Sequence, residues 1–260
     1  MTTWLLLRGL AREAGHWGDF EGQLAAALGE GHHVLALDLP GNGALHGQRS
    51  PADVAAMARA LRAQAVQRGL APPYVLVAMS LGAMVALEWG DSAPQELAGC
   101  VLVNTSLGGH SPFWQRLLPH NYLRLASLLR PGLSALEREA RVLAMTSSHS
   151  AGHPGVAQRW AAIAQQRPVR RGNLLRQLLA AARYTAPQLA PPVALLVLCS
   201  DGDRLVSPSC SWRLAERWCV PLQVHPHAGH DLPLDAPAWV LARIHGWWQL
   251  RTALGELSNR

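Results

Sequence analysis

The stretch VLVAMSLGAMVAL, residues 75 to 87, decides how the rest of the chain is read. Together with Tyr74 its first half is a short, continuous apolar run, as expected of a strand buried on both faces. A helix follows, and Ser80 falls on the bend between them. At such a bend the serine backbone is strained, and the residues two positions away must be small so that strand and helix can approach. Ala78 and Gly82 meet that demand, and Ala83 is small as well. Alanine stands where glycine is the usual first small residue, but the requirement is steric and one added methyl group is tolerable.

Outward from this bend, further apolar runs alternate with segments of helical period, the pattern of a parallel sheet covered on both faces. Strands are expected near residues 4–7, 33–39, 74–79, 100–104, 193–199 and 221–225. A helix is expected from Ser50, with Pro51 in its first turn and Val54, Met57, Ala58, Leu61 and Ala65 on one face. A last helix is expected from near Asp235, aligning Val240, Ile244, Trp247 and Trp248 as core.

Residues 109–190 are far more than one crossover needs. Ser134 and Glu137 form a capping box before REARVLAM, and Leu174, Leu175, Leu178, Leu179 and Ala182 form an apolar stripe. This reads as an inserted α-helical cap, leaving residues 1–108 and 191–260 as the core domain. The insert is lopsided in charge, with eleven arginines against Glu137 and Glu139.

Composition narrows the classes. The chain has 260 residues, 49% of them hydrophobic and 15% charged, which excludes a disordered or fibrous protein. No apolar run reaches the roughly 20 residues that span a bilayer. The N-terminus has neither a basic n-region nor a long enough apolar block for a signal peptide, so a cytoplasmic location is expected. Cys100, Cys199, Cys210 and Cys219 are scattered without a CxxC pair, against a disulfide framework or zinc knuckle. All 23 basic residues are arginine, and the net charge is +6. That charge suits solubility or an anionic partner.

A serine hydroxyl is a poor nucleophile in water; it needs a base within hydrogen-bond reach and a third group to orient that base. Candidates follow the fifth and sixth expected strands. SDGDRLV offers Asp201 and Asp203, and HAGHDL offers His230. All three chemistries then sit past the carboxyl ends of strands, where open parallel sheets build their sites. The order Ser, Asp, His is that of one hydrolase architecture.

On LLLRGL, LDLPGNG (37–43), VAMSLG, SDGDRLVSP and HAGHDLPLDAP, which span nearly the whole chain apart from the insert, the protein resembles the α/β-hydrolase fold superfamily. The resemblance implies Ser80 as nucleophile, His230 as general base and Asp203 as the acid, with Asp201 as the fallback. It implies an oxyanion hole from the backbone N–H groups of Leu10 and Leu81. Asn104, at the end of the fourth strand, cannot replace the carboxylate. Where the family commonly has His-Gly, this chain has Arg8-Gly9, so Arg8 is expected either to pair with an internal carboxylate or to favour an anionic substrate. The chain begins close to the family's third strand, so the expected fold is α/β, with a six-stranded, all-parallel sheet flanked by helices.

The implied activity is that of a serine carboxylesterase working through an acyl-enzyme on a small-molecule ester, with no cofactor and no metal. A serine at the bend disfavours dehalogenases and epoxide hydrolases, which use aspartate there. Thioesterase and carbon–carbon bond hydrolase activities stay open. The arginine-rich cap adds an alternative, an esterase or thioesterase whose acyl chain arrives on an acidic acyl carrier protein, similar to the pimeloyl carrier-protein methyl ester esterases. A non-catalytic binding protein on the same fold is the alternative of another class, but it would not need Ser80, Asp203 and His230 together. His225, His227, His230 and Asp231 superficially resemble a metallohydrolase cluster, yet the acid is one place late and no upstream ligands match. The glycines of LPGNGALHG are misplaced for a dinucleotide loop, and no nucleic-acid partner is expected.

Overall fold

The computed structural model of the chain describes residues 2–128, 130 and 132–258, the side chains of 151 and 254–258 excepted. Six strands, β1 (Thr2–Leu7), β2 (His32–Leu37), β3 (Tyr74–Met79), β4 (Leu97–Val103), β5 (Leu195–Ser200) and β6 (Leu222–His225), form one sheet in the order β2-β1-β3-β4-β5-β6. Every neighbouring pair is parallel, as expected. In chain order the helices are α1 (Phe20–Leu28), α2 (Val54–Gln67), α3 (Leu81–Ser92), α4 (Phe113–Arg116), α5 (His120–Ser127), α6 (Ala135–Thr146), α7 (Val156–Gln166), α8 (Arg171–Arg183), α9 (Ser209–Trp218), α10 (Leu232–Asp235) and α11 (Pro237–Ser258).

Strand side chains alternate in direction, so a wholly apolar strand feeds two cores. Leu5, Leu7 and Leu76 face Met57 and Leu61 of α2, Leu87 and Trp89 of α3, and Leu214 of α9. Trp4, Leu6, Val75 and Val77 face the opposite way, toward Phe20 and Leu24 of α1 and Val240 and Ile244 of α11. Trp247 and Trp248 pack against this second core, as their helical spacing implies.

One local expectation is corrected. α2 starts at Val54, not Ser50, because the Asp53 side chain caps it by accepting from the Ala56 N–H at 2.7 Å. Ser50 is occupied elsewhere, its hydroxyl donating to the Pro40 carbonyl and its N–H to Asn173. The last helix begins where expected, α11 starting at Pro237 two residues after Asp235, and Asp235 itself ends the short α10. The apolar stripe of α8 is not its buried face. Asn173, Gln177 and Ala180 are buried there, whereas Leu175 and Leu179 are exposed. Polar groups turn inward because they meet a loop rather than a sheet: Asn173 bonds the Gln48 carbonyl and the Ser50 N–H, and Gln177 bonds Asn42 and the Ser50 hydroxyl.

Helices α4–α8 lie between β4 and β5, and α6 and α7 share a small core of Leu143, Val156 and Trp160. The capping box at Ser134 and Glu137 is present. One carboxylate ties the end of α6 to α10. Asp235 accepts from Ser147 Oγ at 2.5 Å, from the Ser148 N–H at 2.8 Å and from the Gly229 N–H at 2.7 Å. Burial pushes its pKa up, but these donors outweigh burial and hold it below the ordinary aspartate value. A carboxyl depressed on folding stabilises the native state above its unfolded pKa of about 3.9 and loses that contribution as the pH falls through the lower folded value. Asp235→Asn is therefore expected to lower the Tm at neutral pH and to flatten the fall of Tm below about pH 4, read by thermal melts across acid pH.

Candidate active site

The sheet order changes direction at β1, which pairs with β2 on one side and β3 on the other. The loops leaving β1 and β3 therefore diverge and open a crevice at the carboxyl end of the sheet. Register aligns Leu7 with Ala78, so Arg8-Gly9 and Met79-Ser80 leave the sheet side by side.

Ser80 sits on that rim at φ 54° and ψ −117°, a conformation that L side chains rarely adopt. Its amide is held by the Val103 carbonyl at 3.0 Å, while its own carbonyl accepts from Ala83 and Met84 of α3. Strain at one residue is thus fixed by strand and helix together. Gly82 is required for the fit, since a Cβ there would lie 2.6 Å from the carbonyl oxygens of both Leu7 and Arg8. Ala78, by contrast, is fully buried within β3 and its methyl group is accommodated. Gly82→Ala is expected to push α3 away from the β1 loop and cost about 1–3 kcal/mol, measurable by urea denaturation. Ala78→Gly should cost roughly 1 kcal/mol or less through backbone entropy.

His230 and Asp203 are brought together from separate loops. His230 Nδ1 lies 2.7 Å from Asp203 Oδ2, with both side chains almost wholly buried. The other Asp203 oxygen accepts the N–H groups of Leu205 and Val206, so the carboxylate is aimed by its own loop. Asp201, the fallback, is exposed and its backbone N–H bonds His225. Ser80 and His230 line one cavity of about 550 Å³.

The backbone beside Ser80 is equally specific. A Cβ on Gly9 would meet Ser80 Cβ at 3.0 Å and Oγ at 3.5 Å, so the Gly9-Leu10 segment passes directly against the serine. Among the described residues, the Leu10 and Leu81 N–H groups have no protein acceptor. Leu10 is held in this loop from both sides, because the Ala11 N–H donates to Gln177 of α8 and the Arg12 N–H to Gly9.

Arg8 resolves toward the internal pair. Its Nη1 and Nη2 reach the two Asp231 oxygens at 3.0 and 2.5 Å, and its guanidinium lies 4.9 Å from the Trp17 ring centroid. The pair joins the loop after β1 to the residue following His230. His225 and His227 do not converge with His230. His225 Nδ1 accepts from the N–H groups of His227 and Ala228 and its ring packs on Trp239, while His230 turns to Asp203.

The roles of several residues of this region escaped sequence reading. Asn104, at φ 43° past β4, donates to the Gly229 and His230 carbonyls and accepts from the Ser200 N–H, so it positions the histidine loop. Its signal was a polar residue at a strand's carboxyl end. Arg12 bonds Glu139 of α6 at 2.6 Å, and Glu13 lies 2.7 Å from Arg167 at the end of α7. Burial pushes the Glu13 carboxyl up, against the pull of Arg167. Buried His16 is driven well below the ordinary histidine pKa by desolvation and by the Arg12 and Arg8 charges, so its ring is neutral at neutral pH. The Asn104 contacts to Gly229 and His230 and the Arg12–Glu139 and Glu13–Arg167 pairs join residues more than a hundred positions apart, and no local pattern reveals them. Most of the remaining wall is apolar, including Leu125, Val142, Met145, Ile163, Leu174 and Leu178, with Arg138, Thr146 and Arg171 also on it.

Comparison with known proteins agrees with this architecture. The chain resembles a thermophilic esterase from Thermogutta terrifontis, solved with malate bound (TM-score 0.74, 22% identity, covering 96% of this chain and 90% of that one). It also resembles the esterase RhEst1 from Rhodococcus sp. ECU1013 (TM-score 0.72, 18% identity, 95% and 90% covered). A hydrolase from Pseudomonas aeruginosa PA01 is similar too (TM-score 0.71, 19% identity, 95% and 89% covered). At these identities the likeness is one of fold. No match to a curated protein was found. The sequence model described as "Alpha/beta hydrolase family" matches residues 4–243, from the first strand into the last helix. With the all-parallel sheet, the strained serine bend and the crevice at the carboxyl end of the sheet, this match establishes that the chain belongs to the alpha/beta hydrolase family.

Proposed function

We propose that the chain is a serine hydrolase that cleaves carboxylic esters through an acyl-enzyme, with residues 109–190 acting as a cap over the site. The observation that carries this reading is the 2.7 Å contact between His230 Nδ1 and Asp203 Oδ2 in a cavity that Ser80 also lines. With Nδ1 engaged by the carboxylate, Nε2 is the nitrogen left to take the Ser80 hydroxyl proton as Oγ attacks the carbonyl. Negative charge then develops on the carbonyl oxygen, where the Leu10 and Leu81 N–H groups would donate. One such donor is worth roughly 3–4 kcal/mol of barrier lowering. The imidazolium returns its proton to the departing alkoxide, and water repeats the sequence to release the acid and free Ser80. The reaction balances with water alone.

The cavity's mostly apolar wall favours an acyl chain over a polar acyl group. The test is incubation with a fluorophosphonate followed by peptide mapping. Labelling of the peptide containing Ser80 is expected. Failure of the probe to label, or labelling elsewhere, would refute the assignment.

A further inference from the structure

Among the described residues, five of the eleven exposed large apolar side chains lie on adjoining elements. On α4 and α5, Phe113 is 69% exposed and Leu123 84%, with Trp114 and Tyr122 also exposed, and Trp212 of α9 joins them. None of the five lines the cavity. These elements are contiguous. The Gln115 carbonyl accepts the Ser207 N–H, its side chain accepts from Ser209 and Arg213 of α9, and Asn121 of α5 donates to the Arg204 carbonyl.

The charge of this surface is predominantly positive. Between Glu96 and Glu137 the chain has no acidic residue, yet it carries Arg116, Arg124 and Arg130. Arg124, Arg130, Arg204, Arg213 and Arg217 are all exposed, and Glu216 is the exposed acid of α9. Aromatic and leucine side chains standing out from short helices, interspersed with cations, match the boundary between lipid headgroups and acyl chains. A second copy of the chain fits poorly, since a two-fold contact would set arginine against arginine. A bilayer accepts protruding side chains without a matching groove, and α5 turns its other side, through Leu125 and Ala126, to the cavity.

We propose that α4, α5 and the start of α9 dock the protein on an anionic lipid bilayer, with Phe113, Trp114 and Leu123 entering the headgroup boundary and Arg124 and Arg213 meeting lipid phosphates. Docking concerns the outer surface and stands apart from the chemistry assigned to Ser80. The test is co-sedimentation of the full chain with vesicles of phosphatidylcholine, alone or with about one third phosphatidylglycerol, at low and high salt. Binding to the anionic vesicles, weakened by salt, is the expected result. Phe113→Ser/Trp114→Ser/Leu123→Ser and, separately, Arg124→Glu/Arg213→Glu are expected to weaken it at least about tenfold, with the circular dichroism of the wild type retained. Equal binding to both vesicle types, or variants that bind as the wild type does, would overturn the proposal. So would absence of vesicle binding together with salt-sensitive binding to an acidic carrier protein, or a dimer dissolved by the triple variant.

Discussion

Ser80→Ala is expected to lower kcat/KM for a soluble ester by about four to six orders of magnitude, and His230→Ala by a comparable factor. The size follows from the arrangement. In the proposed mechanism, without Oγ there is no acyl-enzyme, and without the imidazole the hydroxyl keeps its proton. Because the two act as one unit, the double variant should be scarcely slower than either single variant, with residual hydrolysis coming from binding and from the amides beside the serine. Asp203→Asn should be less damaging, on the order of 10⁴-fold, since it preserves shape but mis-sets the His230 tautomer. Steady-state kinetics on all four proteins would check this. A Ser80→Ala enzyme within tenfold of wild type would remove Ser80 from the chemistry.

Arg8→Met is expected to destabilise the fold by about 3–5 kcal/mol, and Asp231→Leu by a similar amount. The guanidinium and carboxylate are 4% and 2% exposed, so loss of either leaves its partner charged, buried and unpaired. Removing both should be far milder than the sum of the single effects, because no orphaned charge remains. Urea denaturation of the two single variants and Arg8→Met/Asp231→Leu gives the coupling directly. The same variants should also lower kcat, as the pair links the loop carrying Leu10 to the loop carrying His230. Additive losses would mean that the two groups do not act as a pair.

Legibility in the sequence tracked how local the cause was. Strand β3, the bend at Ser80 and the small residue at 82 could be read because each depends on neighbours within a few positions. The placing of Asp203 and His230 was also legible, since apolar runs mark strand ends and parallel sheets gather those ends on one side. Helix starts were less so. Ser50 has the chemistry of a cap, but a long-range contact with Asn173 claims it and Asp53 caps instead.

By itself the sequence determined the layered α/β architecture, the order of Ser80, Asp203 and His230 along the chain and the excess of arginine between residues 109 and 190. Periodicity and composition are properties of short windows, and they survive folding unchanged. Only the tertiary structure decided that Asp203 rather than Asp201 meets His230, that Arg8 is bound to Asp231, and that α8 turns Asn173 and Gln177 inward. Each of those outcomes rests on a hydrogen bond or ion pair between distant segments, whose partner is chosen by backbone geometry and by the cost of leaving a buried polar group unpaired.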